Sequence, residues 1–262
     1  MIPEISIGPL TLQTFGLMFA LAFVVAGAIV QRRFVELGKP GDWAYEMAFA
    51  ALIGGLIGAR LYFMVDNYDQ VKDDLFGNVF SGSGLTWYGG AVGGALGVLL
   101  WAWWRKFVNL RLCDVAAPAL AAGYAVGRIG CQLSGDGDYG KPWDGPWAMG
   151  YPDGVVPTPP GVTVHPTPVY ETLTMGIVAA VLWSLRNRFR PGILFALYLI
   201  FAGTERFLVE FLRTNVDVAL GLTAAQLQSI AMVVAGLVWI LVVKGRHGTL
   251  ANPDRPAPAA AG

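Results

Sequence analysis

Arg206 and Glu210 stand four residues apart in the run Arg206-Phe207-Leu208-Val209-Glu210-Phe211, and Arg213 follows three residues later. On a helix that spacing places side chains on one face, so a guanidinium and a carboxylate meet there and Arg213 continues the face. An arginine held by a carboxylate presents a planar fork to an anion, and at lipid head-group depth that anion is a phosphate. The same spacing equally describes an intrahelical pair that satisfies only itself. Arg60, Arg128, Glu171 and Glu205 also fall within or at the ends of apolar runs. An arginine at mid-bilayer costs at least about 2.5–3.5 kcal/mol, so such groups face a bundle interior where a partner or ligand compensates them. Snorkelling from a span end accounts for Glu46 and suits Glu205. It fits Arg128 and Arg206 less well, since both lie on the outer halves of their spans beside a long polar loop. Asp136-Gly137-Asp138 supplies two carboxylates, too few for a metal site. No metal and no other cofactor is expected.

The elements that must position these residues are membrane spans. Of the 262 residues 55% are hydrophobic and 14% charged, against about a quarter charged in a soluble domain, and the mean hydropathy is +0.54. A hydrocarbon core about 30 Å thick needs roughly 20 apolar residues per helix. Runs of that kind occur at about 12–30, 43–65, 85–104, 113–130, 168–185, 192–211 and 225–243. The fourth is the least apolar: it is rich in Ala and Gly, carries Pro118 and ends in a polar stretch. The expected fold is an all-α membrane protein of about seven transmembrane helices. Residues 1–248 form one transmembrane domain with a long loop at about 131–166, and 249–262 form a disordered tail rich in Pro and Ala. No cleavable leader is expected, because the apolar run 16–30 is followed by Gln31, Arg32 and Arg33 and not by a small-residue cleavage site. Cys113 and Cys131 fall at opposite ends of one span, about 27 Å apart at 1.5 Å per residue. That excludes a disulfide between them.

Net charge is zero, with 18 basic and 18 acidic residues, which gives no indication of nucleic-acid binding. The charges are distributed unevenly. Arg32, Arg33, Lys39, Arg105, Lys106, Arg111, Arg186, Arg188, Arg190, Lys244, Arg246 and Arg255 fall on one side of the seven spans. Lys72, Lys141 and Arg213 fall on the other, with the acidic stretches 66–74 and 136–153. The positive-inside rule puts the first group in the cytoplasm, the N-terminus outside and the C-terminus inside.

Two stretches narrow the chemistry: Gly127-Arg128-Ile129-Gly130-Cys131-Gln132-Leu133-Ser134-Gly135-Asp136-Gly137-Asp138-Tyr139-Gly140, and His165-Pro166-Thr167-Pro168-Val169-Tyr170-Glu171. With Trp87-Tyr88-Gly89-Gly90, Gly58-Ala59-Arg60, Phe15-Gly16-Leu17-Met18 and the Arg206–Glu210 run, they resemble, in order and over nearly the whole chain, the bacterial prolipoprotein diacylglyceryl transferases. The resemblance implies an enzyme of the bacterial inner membrane with its active site toward the periplasm. Its partners would be phosphatidylglycerol, membrane lipids and the signal peptide of a prolipoprotein. It would transfer the diacylglyceryl group to the lipobox cysteine as a thioether and release glycerol phosphate.

Carried over residue by residue, Arg128 and Arg206 match arginines that bind the lipid phosphate. Glu210 matches the carboxylate that orients an arginine or hydroxyl. Gly130, and Gly89 and Gly90, match positions where a missing side chain lets backbone approach the head group. Arg60, Cys131, Asp138, His165, Tyr170 and Glu171 are supporting positions. His165 either relays a proton or caps the fifth helix, and the structural role is favoured. The chain also departs from the family pattern. The signature's usual Asn-Phe, Asn and Glu are here Cys131-Gln132, Ser134 and Asp136, the usual tyrosine of span one is Phe15, and the usual histidine of span three is Tyr88. A tyrosine, with an ordinary pKa of about 10, needs help to act as a base. That leaves Asp136, Asp138 or the leaving phosphate to accept the thiol proton, with Tyr88 a base or a hydrogen-bond donor. Cys131 is either a nucleophile, activated by Arg128, or a small residue filling the asparagine's place. The second is favoured, because the substrate brings its own thiol.

Two rivals stand beside this reading. A divergent member would deliver the lipid-derived group to another acceptor. An anion-binding transporter would carry inverted repeats, and the two halves show no convincing match.

Overall fold

A computed structural model describes residues 1–68 and 86–253. Lys72, Leu85, most of the acidic stretch 66–74 and the tail from 254 with Arg255 lie outside the described residues. The described chain is mainly helical: α1 (Thr14–Glu36), α2 (Trp43–Asp66), α3 (Trp87–Trp104), α4 (Leu110–Ser134), α5 (Thr167–Leu185), α6 (Ile193–Glu210) and α7 (Ala224–His247). Each expected span corresponds to one of these helices. By length and composition α1, α2, α4, α5 and α7 are apolar enough to cross a membrane. The other two are 18 residues each; α6 holds Glu205, Arg206 and Glu210, and α3 is rich in Trp and Gly.

Two short hairpins, unanticipated from the apolar runs, precede α1 and α7. β1 (Glu4–Ile7) pairs antiparallel with β2 (Leu10–Gln13), and β3 (Asp217–Ala219) with β4 (Leu222–Thr223). The second turns through Leu220 and Gly221, both at positive φ, as a two-residue hairpin requires.

The chain divides into two compact units. In the unit Val30–Leu112, α2 and α3 pack backbone to backbone through glycines. A Cβ on Gly58 would run into the carbonyl of Gly89 and come 2.7 Å from the Cα of Gly93, and one on Gly93 would strike the carbonyl of Gly54. Lipid tails give no hydrophobic drive between helices, so this close approach is what holds the pair. Gly58→Leu should therefore lower stability by about 1–3 kcal/mol or more, read as thermal melting in detergent. Gly245→Ala, with nothing within 4 Å of the added Cβ, should melt like the parent. At one end of the pair Glu46 accepts from Trp101 Nε1 (2.8 Å) and Arg105 Nε (2.7 Å). It is thus paired, where snorkelling alone is expected from the sequence. Phe34, Trp43, Trp101 and Phe107 form an aromatic cluster beside it.

The other unit joins Met1–Ile29 to Cys113–Gly262. Its core is a row of alanines on α4, Ala117, Ala121 and Ala125, against Met175, Val178 and Leu182 of α5 and Leu194 of α6. The i, i+4 spacing of small residues draws the helices together. Helix α4 continues four residues past the expected end at 130, so Cys131–Ser134 are helical; Gly135, at φ +61°, stops it. Pro168 opens α5, where a missing N–H costs nothing. Thr223 and Gln226 form a capping box on α7. The long loop folds back on the end of α4: Val155 and Val156 donate to the carbonyls of Ser134 and Gly135, both at 2.9 Å, and Tyr151 is fully buried. Leu250 and Asn252, read from sequence as part of the tail, bond to Arg190 and Arg188.

Candidate active site

Within the second unit, α4 and α6 end where α5 and α7 begin, and this brings together the polar residues that the sequence scatters over about ninety positions. Arg128, near the end of α4, donates through Nη2 to Glu171 Oε1 (2.8 Å) in the first turns of α5, and through Nη1 to Asp138 of the loop. Its Nε and Nη2 also lie 3.2 and 3.1 Å from the Tyr124 hydroxyl, which itself donates to Glu171 Oε1 at 2.7 Å. Tyr124 precedes Arg128 by four residues, so one face of α4 presents both.

On α6 the pair read from i, i+4 spacing is formed: Arg206 Nη1 lies 2.7 Å from Glu210 Oε2. Glu210 is 3% exposed and also accepts, through Oε1, from Thr223 Oγ1 and Asn215 Nδ2, both at 2.7 Å. Arg213 ties the two halves. It bonds to the Asp138 carboxylate and carbonyl, and lies 3.9 Å from both Glu171 and Glu210. Three arginines thus alternate with three carboxylates, Asp138, Glu171 and Glu210. Burial raises the Asp138 carboxyl, but the Arg128 and Arg213 guanidiniums outweigh it and hold the group below the ordinary carboxylate range. Arg206 Nη1, Arg213 Nε, Glu171 Oε2 and Glu210 Oε2 are buried and near opposite charges, yet none lies in a directed hydrogen bond. These atoms meet their counter-charges electrostatically and not through directed hydrogen bonds.

Sequence reasoning ranked Arg213 only as the continuation of a helix face and an outward charge; its spacing of three from Glu210 was the available signal. Tyr124, Thr223 and Asn215 were missed, and only the Tyr124–Arg128 spacing pointed to any of them.

The other expected residues have more local roles. Cys131, 7% exposed, accepts from Arg128 Nη1 at 3.7 Å. Its sulfur lies with Asp136 and Asp138 oxygens within 4.8 Å of one another, a set that could hold a cation. Arg128 and Arg213 already occupy Asp138, and Asp136 accepts from the Asp138 backbone N–H at 3.2 Å, so the charge is balanced by guanidinium. His165 stacks on Trp143, with ring centroids 4.3 Å apart, and its Nδ1 lies 3.3 Å from the Tyr170 hydroxyl, which also accepts from Trp147 at 2.7 Å. These contacts give His165 and Tyr170 a part in holding the loop. Gly130 faces α1, where a Cβ would come 3.0 Å from that of Met18. Arg60, Tyr88, Gly89 and Gly90 belong to the glycine-packed unit: Arg60 is buried with its guanidinium 5.2 Å from the Phe63 ring, Tyr88 is about half exposed in the first turn of α3, and Gly89 packs on Gly58 and Tyr62.

Comparison with known proteins identifies the relatives of the chain. The sequence profile of the prolipoprotein diacylglyceryl transferases matches residues 4–242. Phosphatidylglycerol–prolipoprotein diacylglyceryl transferase of Paraburkholderia phymatum is 32% identical, covering 93% of both chains. The protein of that name from Erythrobacter litoralis is 30% identical over 98% of this chain and 94% of its own. That from Clostridium tetani is 31% identical over 78% and 82%. A multi-pass helical chain with a buried arginine–carboxylate cluster, matched by this profile over all but its ends, belongs to the prolipoprotein diacylglyceryl transferase family.

Proposed function

We propose that the chain transfers the diacylglyceryl group of phosphatidylglycerol to the lipobox cysteine thiol of a prolipoprotein. The sulfur attacks the glyceryl carbon, the C–S bond forms, and the C–O bond to phosphate breaks. Glycerol phosphate leaves with the electron pair and the thiol gives up its proton. The observation that carries this reading is the convergence of Arg128, Arg206 and Arg213 at one end of the helices. Arg128 and Arg206 grip the phosphate, and donors fixed before the reaction stabilise the charge that develops on the leaving group. Asp138, the most exposed of the three paired carboxylates at 33% of its side chain, is the one the phosphate displaces. Asp136 serves as a hydrogen-bonding group toward the substrates.

All seven helices span the membrane in this reading. The three charges of α6 cluster at one end and are largely buried, so lipid meets only its apolar remainder. The twelve-to-three distribution of basic residues supports an N-terminus outside, a C-terminus in the cytoplasm and the arginine cluster on the periplasmic side of the inner membrane.

Complementation tests the reading. Expressed in bacteria depleted of their own diacylglyceryl transferase, the chain should restore a diacylglyceryl mass increment on a reporter prolipoprotein. A membrane-inserted chain that gives no increment on the reporter or on its own organism's prolipoproteins would turn the assignment toward another acceptor.

A further inference from the structure

The reaction releases a thiol proton, and the paired carboxylates are poorly placed to take it. Protonating Asp138, Glu171 or Glu210 breaks an ion pair with an arginine. His165 is stacked on Trp143 and bonded to Tyr170. A fourth carboxyl stands apart. Glu205 is only 8% exposed, yet among the described residues it forms no hydrogen bond and no ion pair.

It lies one turn of α6 beyond Phe201 and Ala202, which pack on the alanine core, and next in sequence to Arg206. The charged and titratable groups that act on it come from three elements and the turn after α6: Tyr124 and Arg128 of α4, Glu171 of α5, Arg206 of its own helix, and Arg213. Snorkelling, the bland account of a span-end glutamate, does not describe a side chain nine-tenths buried. Its oxygens are not among the fully covered polar atoms, so a carboxyl with neither hydrogen bond nor ion pair stands open beside the arginine cluster.

Resting on the transfer reaction above, we propose that Glu205 is the catalytic proton acceptor: its carboxylate takes the S–H proton as the sulfur bonds to the glyceryl carbon and the phosphate departs. Among the carboxyls of α5 and α6 it accepts a proton without giving up a counterion; Asp136, also outside any ion pair, is turned to the Asp138 N–H of its own loop. The atoms balance, since thiol, phosphatidylglycerol and carboxylate become thioether, glycerol phosphate and carboxylic acid, and the acid returns its proton to water afterwards.

The test uses the purified full chain, phosphatidylglycerol in detergent micelles, and two synthetic lipobox peptides that differ only in cysteine or selenocysteine. A selenol is ionised at neutral pH and needs no base. In Glu205→Gln, transfer to the cysteine peptide should fall about 10²-fold or more, while transfer to the selenocysteine peptide stays within about threefold of the parent. The residual cysteine rate should also rise about tenfold per pH unit between about pH 5.5 and 7.5, as the thiol ionises by itself. Glu205→Asp, which keeps the carboxyl on a shorter arm, should give an intermediate ratio. It stands in if Glu205→Gln does not melt like the parent. Equal loss on both peptides in a variant that melts like the parent, or a cysteine rate within threefold of the parent, overturns the proposal. A parent chain inactive on both peptides overturns the transfer reaction itself.

Discussion

Replacing Arg128 by alanine should cut diacylglyceryl transfer by about 10²–10³-fold or more, the loss seen when one fixed donor to a developing anion is removed. The residue is placed for both binding and order. Its side chain is 12% exposed and touches Asp138, Glu171, Tyr124 and Cys131 at once. Removing it deprives the phosphate of a planar donor and leaves the fully buried Glu171 with only Arg213, 3.9 Å away, as counter-charge. Arg128→Lys keeps the charge but not the fork, so it should recover more stability than activity. Lipidated reporter per inserted enzyme, read by mass, measures the first effect, and melting in detergent the second. An Arg128→Ala chain that transfers within tenfold of the parent would remove this residue from the phosphate site.

The second large effect is expected on stability. Glu171 has no exposed surface, and its Oε1 accepts from both Tyr124 and Arg128. Glu171→Ala takes the acceptor from Arg128 Nη2 and from the Tyr124 hydroxyl at once, and leaves Asp138 as the counter-charge of Arg128. Breaking a buried pair from one side costs about 3–5 kcal/mol, because the remaining charge stays desolvated. Glu171→Gln keeps an oxygen for the same two donors and loses only the charge, so its melting temperature should fall between those of the parent and the alanine variant. An alanine variant that melts like the parent would show that the cluster does not depend on this carboxylate.

Part of this site was legible without coordinates because helix geometry is local. Arg206 and Glu210 had to meet at a spacing of four, and they do at 2.7 Å. Gly127–Gly140 and His165–Glu171 marked the two chain segments that supply Arg128, Asp138 and Glu171. The pairing of Arg128 with Glu171, 43 residues later, had no such signal. Arg213 illustrates the limit: counted along the chain it is one charge outside a span, while in the fold it bridges Asp138, Glu171 and Glu210. Glu46 errs in the same way, since its counter-charge, Arg105, is 59 residues on. Gly89, read as a gap for a head group, closes on Gly58 of the facing helix.

The sequence by itself determined where the helices run and which charges they bury, because a hydrocarbon layer of fixed thickness demands apolar runs of fixed length and a helix repeats every 3.6 residues. Only the tertiary structure decided which arginine answers which carboxylate. That choice depends on which helices touch and how each is rotated about its axis. It is set here by alanines at 117, 121 and 125 that let α4, α5 and α6 close on one another, and by a long loop that carries Asp138 back to the helix it has just left. Neither distance is encoded in any short stretch of chain. The same closure leaves Glu205 without a hydrogen-bond or ion-pair partner among the described residues, and makes a span-end glutamate the group to test.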